Sequence, residues 1–351
     1  MDSGKIGKAI SFLRKRAGYT QKDLADRIGI SDKAVSKWER GLGLPDISYL
    51  RKLSILLDTD SDSLLAGDVI HHDSGWQGVL LLEKNINGIG AGTIIYDKPL
   101  IHYLLSYFLL VGIRNIWIIC EEEEDKKYID GFFGDGSEYG IRLQTHDGPL
   151  QDVAETISFR ADNIMMVYGR CVLYGVDQTR FFQKAMIEKD RFTMLVLPKK
   201  ISHSSPRIVV DQNKKVIGSV EDEPLWTQYD FSDIPILFLP AQCFSQVMEK
   251  GDIGAFISEY ASQNELYVHM LDRGFVDIEV DTWDNVQEAS TFIKIVQDKC
   301  GMIVYCIEEV AWRRGMISLE QLRAKGEMRK GTEYGDYILS LCERIHPTIS
   351  T

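Results

Sequence analysis

At 351 residues the chain is long enough for two domains, each able to bury its own core. Its 44% hydrophobic and 26% charged residues are the composition of an ordinary globular protein. The net charge of −12 excludes nucleic-acid binding through bulk charge, because residues 68–351 carry 28 Lys/Arg against 43 Asp/Glu. Residues 1–67 carry 12 against 9, so a DNA contact would need one locally positive face of that segment. No apolar run followed by small residues opens the chain, so no signal peptide is expected. The most apolar stretch, 100–113, reads as a buried helix and not as a membrane span. Six scattered cysteines without a C-x-x-C pair, and seven histidines without a ligand cluster, give three expectations: reduced thiols, no metal site and a cytoplasmic location.

Helical periodicity starts with Ile6, Ile10 and Leu13 on one face, Arg14, Lys15 and Arg16 beside them, and Gly18 as the stop. Thr20 is placed to cap a second helix over 21–28, with Gly29 as the turn. Ser31 would cap a third, running to about residue 40, with Ala34, Val35 and Trp38 turned inward and Gly41 ending it. Asp46 opens a fourth, with Ile47, Leu50, Leu53 and Leu57 inward, and Leu64 and Leu65 belong to a short fifth. Two short helices joined by a glycine turn and wrapped by others are the layout of a helix-turn-helix.

The run T-Q-K-D-L-A-D-R-I-G-I-S-D-K-A-V-S-K-W-E-R-G over 20–41 resembles the Cro/repressor (XRE) family nearly throughout. That resemblance implies double-stranded DNA as partner, with Gln21 gripping a phosphate at the start of the second helix. It also places the third helix in the major groove, presenting Ser31, Asp32, Lys33, Ser36 and Lys37. Lys33 and Lys37 can donate to guanine or phosphate, while Asp32 can accept from cytosine or orient a lysine. The other reading is a protein-interaction module with a solvated charged face. Gln21 and the turn spacing, which have no packing rationale in the sequence, favour DNA. One such module contacts one half-site, so the remaining chain is expected to supply a homodimer or homotetramer, signal sensing, or both.

Residues 66–77 lack periodicity, which divides the chain into a helix-turn-helix domain over 1–67, a linker over 68–77 and a second domain over 78–351. Beyond the linker, short apolar strands over 78–82, 116–120, 164–167 and 193–197 alternate with helices such as 100–111. This pattern predicts an α/β sheet covered on both faces, with ligands at the carboxyl ends of its strands. The fold class is therefore an all-α helix-turn-helix domain followed by an α/β domain with a mostly parallel sheet.

The segments Y-D-K-P-L-I-H-Y-L-L-S-Y-F-L-L-V-G-I-R-N-I (96–116), G-D-G-S-E-Y-G-I-R-L-Q (134–144) and R-G-F-V-D-I-E-V-D-T-W-D-N-V-Q-E-A-S-T-F-I (273–293) resemble the sugar-phosphate nucleotidyltransferases, glucose-1-phosphate thymidylyltransferases above all. Two others, Y-G-R-C-V-L-Y-G (168–175) and E-E-V-A-W-R-R-G-M-I-S-L-E-Q-L (308–322), extend the likeness towards the C-terminus. The resemblance implies a Rossmann-like nucleotidyltransferase fold and a chemistry that joins a sugar 1-phosphate to a nucleoside triphosphate with Mg²⁺.

The residues for that chemistry are missing. The family's G-G-x-G-T-R loop becomes E-K-N-I-N-G-I-G-A-G-T-I-I (83–95), without an arginine, with Gly90 in the lysine's place and Lys84 as the nearest substitute. Its metal-binding L-G-D-N becomes Tyr168-Gly169-Arg170-Cys171, and a second metal aspartate becomes Glu279, with Asp281 near. The sugar-phosphate lysine becomes Glu223, a sugar-gripping glutamate becomes Val209, and a threonine-glycine pair becomes Ile234-Pro235. A degenerate transferase is therefore expected, with no catalytic residue, cofactor or metal. Its ligand-binding candidates are Gln151, which keeps the spacing of a base-reading glutamine and reads equally as a surface turn residue, with Arg170 and Glu279, and the effector would be a nucleotide or nucleotide sugar. Arg170 either meets a ligand phosphate in place of Mg²⁺ or pairs internally with Glu279. The alternative function is an active sugar-1-phosphate nucleotidyltransferase carrying a DNA-binding module.

Overall fold

The computed structural model describes residues 2–17, 19–57, 64–65, 75–84, 87–159, 161–199, 207–210, 216–220, 230–244, 253–263 and 265–345. It divides into two compact units, Met1–His72 with Glu308–Thr351, and Asp73–Ile307. This grouping differs from the division expected at residue 67, because the chain returns to its first unit after completing the second.

Each N-terminal helix begins at a side chain that satisfies its free N–H groups. Asp2 accepts from Gly4 and Lys5 at the start of α1 (Ser3–Arg16). Thr20 and Asp23 form a reciprocal capping box on α2 (Gln21–Ile28), and Gly29, with φ 89°, ends it in the left-handed region. The Ser31 hydroxyl caps α3 (Asp32–Glu39), and Asp46 accepts from the Ser48 N–H at 2.9 Å in α4 (Ile47–Leu57). Ile6, Ile10, Leu13, Leu24, Val35, Trp38, Leu50, Leu53 and Leu57 make one core with Leu64. Ile47, expected inward, is 83% exposed; it is the first residue of α4, one turn ahead of the buried Leu50.

The second unit begins with β1 (Trp76–Leu82), so Trp76 and Gln77 belong to a strand and not to the linker; residues 68–74 of that expected linker lie outside the described residues. Then come β2 (Ile94–Ile95), β3 (Lys98–Pro99), α5 (Leu100–Leu110), β4 (Asn115–Cys120), α6 (Glu123–Phe133) and β5 (Arg142–Asp147). Next are α7 (Gln151–Phe159), β6 (Asn163–Tyr168), β7 (Cys171–Tyr174), α8 (Gln178–Ile187), β8 (Phe192–Lys199), β9 (Arg207–Val210) and β10 (Val216–Val220). The unit finishes with β11 (Asp230–Pro240), α9 (Ile253–Ser262), β12 (Leu266–Met270), β13 (Val276–Glu279) and α10 (Trp283–Cys300). Seven strands form the main sheet in the order β12-β8-β11-β6-β1-β4-β5. Only β11 runs against its neighbours; every other pairing is parallel.

All seven residues of β1 are buried, as a central parallel strand covered on both faces requires. Helix α5 is buried from Leu100 to Leu109, and among the described residues no helix is long and apolar enough to cross a membrane. From β1 the chain builds outward through β4 and β5, then restarts on the other side of β1 with β6. The order reverses there, and the crevice outside the carboxyl ends of β1 and β6 is where such sheets hold ligands.

The chain re-enters the first unit one residue into α11 (Ile307–Arg313) and goes on to form α12 (Leu319–Met328) and α13 (Glu333–Ile345). The fully buried Glu308 carboxylate accepts from Arg329 Nη1 and from the Tyr334 hydroxyl, both at 2.6 Å. Glu309 accepts from the Tyr337 hydroxyl at 2.7 Å, so two adjacent carboxylates tie α11 to the α12–α13 hairpin. Phe12 of α1 lies against the bare backbone of Gly315, where an added Cβ would meet its ring at 2.0 Å.

At Gly7 an added Cβ would stand 2.2 Å from the Trp38 carbonyl oxygen, which is backbone of α3 and cannot swing aside. Alanine would gain about 1 kcal/mol of helix propensity there. The overpacking should outweigh that gain, and Gly7→Ala is expected to destabilise the unit by about 1–3 kcal/mol. Circular-dichroism melting of the full chain checks this; an unchanged or raised melting temperature would refute the close approach.

Candidate functional site

Two separate sites follow from this architecture, one in each unit. On the helix-turn-helix face, Gln21 opens α2 and its Nε2 donates to Glu39 Oε2 at 2.8 Å. Arg14 grips the same carboxylate with Nε and Nη2, and its Nη1 donates to the Tyr19 carbonyl at 2.7 Å. Gln21 therefore has a packing role that sequence reading missed, because its side-chain amide is held by Glu39. Arg14 and Glu39 were also missed, although both follow core positions (Leu13 and Trp38) and so stand at the edge of the apolar faces.

The recognition helix α3 holds the other candidates. Ser31 is spent on capping, its Oγ accepting from Ala34 N–H at 3.3 Å, and Asp32 accepts from Lys33 N–H at 2.8 Å. Lys33 and Lys37, four residues apart, are both exposed on one face, with the half-buried Ser36 between them. The Lys37 stem lies along Gly43, 3.3 Å from where a Cβ would stand. Helix α3 is thus capped at its start and carries two exposed lysines on one face, close in sequence to the pinned amide at the start of α2.

In the second unit, the carboxyl ends of β1, β4, β5 and β6 gather the other candidates. Register pairs Leu82 with Cys120 and Cys120 with Asp147, so Glu83, Glu121 and the Gly148 turn follow side by side. Gln151 opens α7 beyond that turn and is exposed. Arg170 follows β6, and its carbonyl accepts from Val280 N–H at 2.8 Å, making it a backbone neighbour of Glu279 at the end of β13.

The side chains of that pair part company. Glu279 is exposed, while the Arg170 guanidinium is buried and its Nη2 stands 3.4 Å from Asp125 Oδ2 in the first turn of α6. The expected internal partner, Glu279, is thus replaced by Asp125, a residue that sequence reading did not single out. Asp125 also accepts from Ala91 N–H at 2.6 Å through Oδ1. The glycine loop is held from its other side as well, Asn87 Nδ2 donating to the Asp281 carbonyl and Trp283 Nε1 to the Asn87 carbonyl.

The helix-turn-helix family model HTH_3 matches residues 10–64. The glucose-1-phosphate thymidylyltransferase of Neisseria gonorrhoeae is 28% identical over 260 residues, covering 70% of this chain and 90% of that protein. The Mycobacterium tuberculosis H37Rv enzyme of the same name is 28% identical over 272 residues, covering 71% and 90%. This chain joins an XRE-type helix-turn-helix domain to a region homologous to glucose-1-phosphate thymidylyltransferase. A Bacillus anthracis structure, described as a glucose-1-phosphate thymidylyltransferase in complex with sucrose, has a TM-score of 0.50 at 15% identity. It covers 62% of this chain and 94% of its own, a likeness that bears on the fold alone.

A guanidinium stands where the resemblance places a metal carboxylate, and the nearest buried carboxylate, Asp125, is already paired with it. The Asp281 carboxylate accepts from Asn285 Nδ2 at 2.6 Å, and no cluster of three metal-ligating side chains occurs among the described residues. Lys84 has an exposed side chain, and its backbone N–H donates to Glu121 Oε2 at 2.9 Å. On the sugar side, Ile234 is a buried residue of β11, Val209 lies in β9, and Glu223 falls outside the described residues.

Burial pushes the Glu39 carboxyl up, but the hydrogen bonds from Arg14 and Gln21 and the Arg14 charge outweigh it and hold it below the usual carboxylate range. A carboxyl with a lowered folded-state pKa stabilises the fold above its unfolded value and loses that contribution as pH falls through the folded one. Stability of the wild-type chain should therefore drop below the ordinary glutamate range more steeply than that of Glu39→Gln. Melting curves of both proteins between pH 7 and pH 3.5 check this, and parallel slopes would contradict it.

Proposed function

We propose that this protein is a sequence-specific DNA-binding transcriptional regulator whose thymidylyltransferase-like region no longer transfers nucleotidyl groups. That region assembles the chain into a homodimer or homotetramer and receives a nucleotide or nucleotide-sugar effector. A cytoplasmic location fits this role. The helix-turn-helix match and the exposed Lys33 and Lys37 on a capped recognition helix support the DNA-binding part. One half-site contact is weak, so pairing of two copies, with recognition helices about 34 Å apart, supplies the rest of the affinity.

The observation that carries loss of catalysis is the Arg170–Asp125 pair: a cation and its counter-carboxylate fill the position where transferase chemistry needs free carboxylates. The same arginine supports an anionic effector, since a guanidinium can meet a phosphate directly with parallel N–H donors. Gln151, exposed at the start of α7, is the proposed reader of the base, and Glu279, exposed at the end of β13, the proposed contact to the sugar. Similarity over 90% of two proteins named glucose-1-phosphate thymidylyltransferase favours the competing reading, an active enzyme with an added DNA-binding module.

Pyrophosphate release from nucleoside triphosphates with sugar 1-phosphates and Mg²⁺ decides between them. No release above a protein-free control is expected, and turnover abolished by a chelator would reinstate the enzyme. For DNA, Lys37→Ala should relax selection in a binding-site enrichment experiment, costing about 1–3 kcal/mol on the preferred site. Selection identical to wild type would remove Lys37 from base reading. A thermal-shift screen of nucleotides and nucleotide sugars should return at least one hit that needs no metal, because a ligand of the native state raises its melting temperature.

A further inference from the structure

The second unit contains an anion seat that the protein fills with its own carboxylate. The Ala91 N–H, on the glycine loop after β1, donates to Asp125 Oδ1 at 2.6 Å. A Cβ at Gly90 would stand 2.4 Å from the same oxygen, so the carboxylate rests against bare loop backbone. From the opposite side comes Arg170, only 8% exposed, with Asp125 itself 5% exposed. The guanidinium is poorly served: Nη2 reaches Oδ2 at 3.4 Å, and Nε is buried without a hydrogen-bond partner among the described residues. A charge-assisted bond between these groups closes to about 2.7–2.9 Å when the geometry allows it. A backbone N–H and a nearby Nη meet one anion, and the idle Nε belongs to the same guanidinium, so the carboxylate engages only the first two.

We infer that Asp125 is an internal plug, and that the Ala91–Arg170 seat takes a phosphate-type anion when this carboxylate withdraws. Three oxygens of a phosphate can engage Ala91 N–H, Nη2 and Nε together, without a metal. The inference deepens the effector reading given above, which it presumes only in the identity of the physiological ligand. Its regulatory consequence is that ligand affinity is set by competition with Asp125, so the unplugged state binds and the plugged state does not.

Inorganic pyrophosphate is the probe, titrated calorimetrically without metal into the full chain and its variants. Asp125→Ala should bind pyrophosphate at least tenfold more tightly than wild type, and Arg170→Ala added to it should abolish the gain. Asp125→Asn keeps an acceptor for Ala91 N–H while removing the charge, and it carries the same direction of change should the alanine variant fail to fold. A folded Asp125→Ala or Asp125→Asn with wild-type affinity, or a gain that survives loss of Arg170, overturns the inference. A nucleotide sugar that alters DNA binding alongside a flat pyrophosphate titration would sink the plug alone. A tightened Asp125→Ala with no responsive nucleotide sugar would sink the effector reading and leave the plug standing.

Discussion

A guanidinium taken out of water must be given an anion and hydrogen-bond acceptors, and among the described residues two buried arginines, one in each unit, meet this demand differently. In the helix-turn-helix, Arg14 is fully served, with two bonds to Glu39 and a third to the Tyr19 carbonyl. Three elements are thereby fixed at once: α1, the turn before α2, and the end of α3. Gln21 hangs on the same carboxylate, so the ion pair that holds the helices together also orients the first side chain of α2. In the second unit Arg170 is half-served, with one long contact and an idle Nε. The contrast separates a pair built for rigidity from one that a better anion can displace.

The thymidylyltransferase-like region has the sheet order and buried strands of its scaffold, and an arginine stands where the resemblance implies a metal carboxylate. The strand order still reverses between β1 and β6, the glycine loop still follows β1, and the buried apolar run of β1 is intact. These features depend on core packing and backbone geometry, which tolerate exchange among apolar residues of similar volume. Chemistry depends on single charged atoms, and one exchange of carboxylate for guanidinium reverses the sign of the site. Fold and reaction chemistry therefore rest on different residues, and the first does not by itself establish the second.

The helix starts and stops were legible in the sequence because capping is local. Thr20, Gly29, Ser31 and Asp46 act on N–H groups or dihedrals within three residues of themselves. The apolar strands were equally legible, since two-sided burial writes itself as a continuous run. Ile47 misled because periodicity tells which face a residue occupies and not whether the neighbouring element extends that far. Gln21 had no apparent packing partner because Glu39 lies 18 positions away.

By itself the sequence determined the two kinds of element, their caps, the helix-turn-helix spacing and the likeness to a sugar-phosphate nucleotidyltransferase, all carried by contiguous residues. Tertiary structure alone decided that the chain returns to its first unit at Glu308 and that Arg170 faces Asp125, 45 positions away, in place of its strand neighbour Glu279. Strand pairing brings the backbones of residues 170 and 279 together, yet side-chain direction and burial choose the partner. A guanidinium held inside lowers its free energy with the carboxylate that is buried beside it, while an exposed one keeps its water.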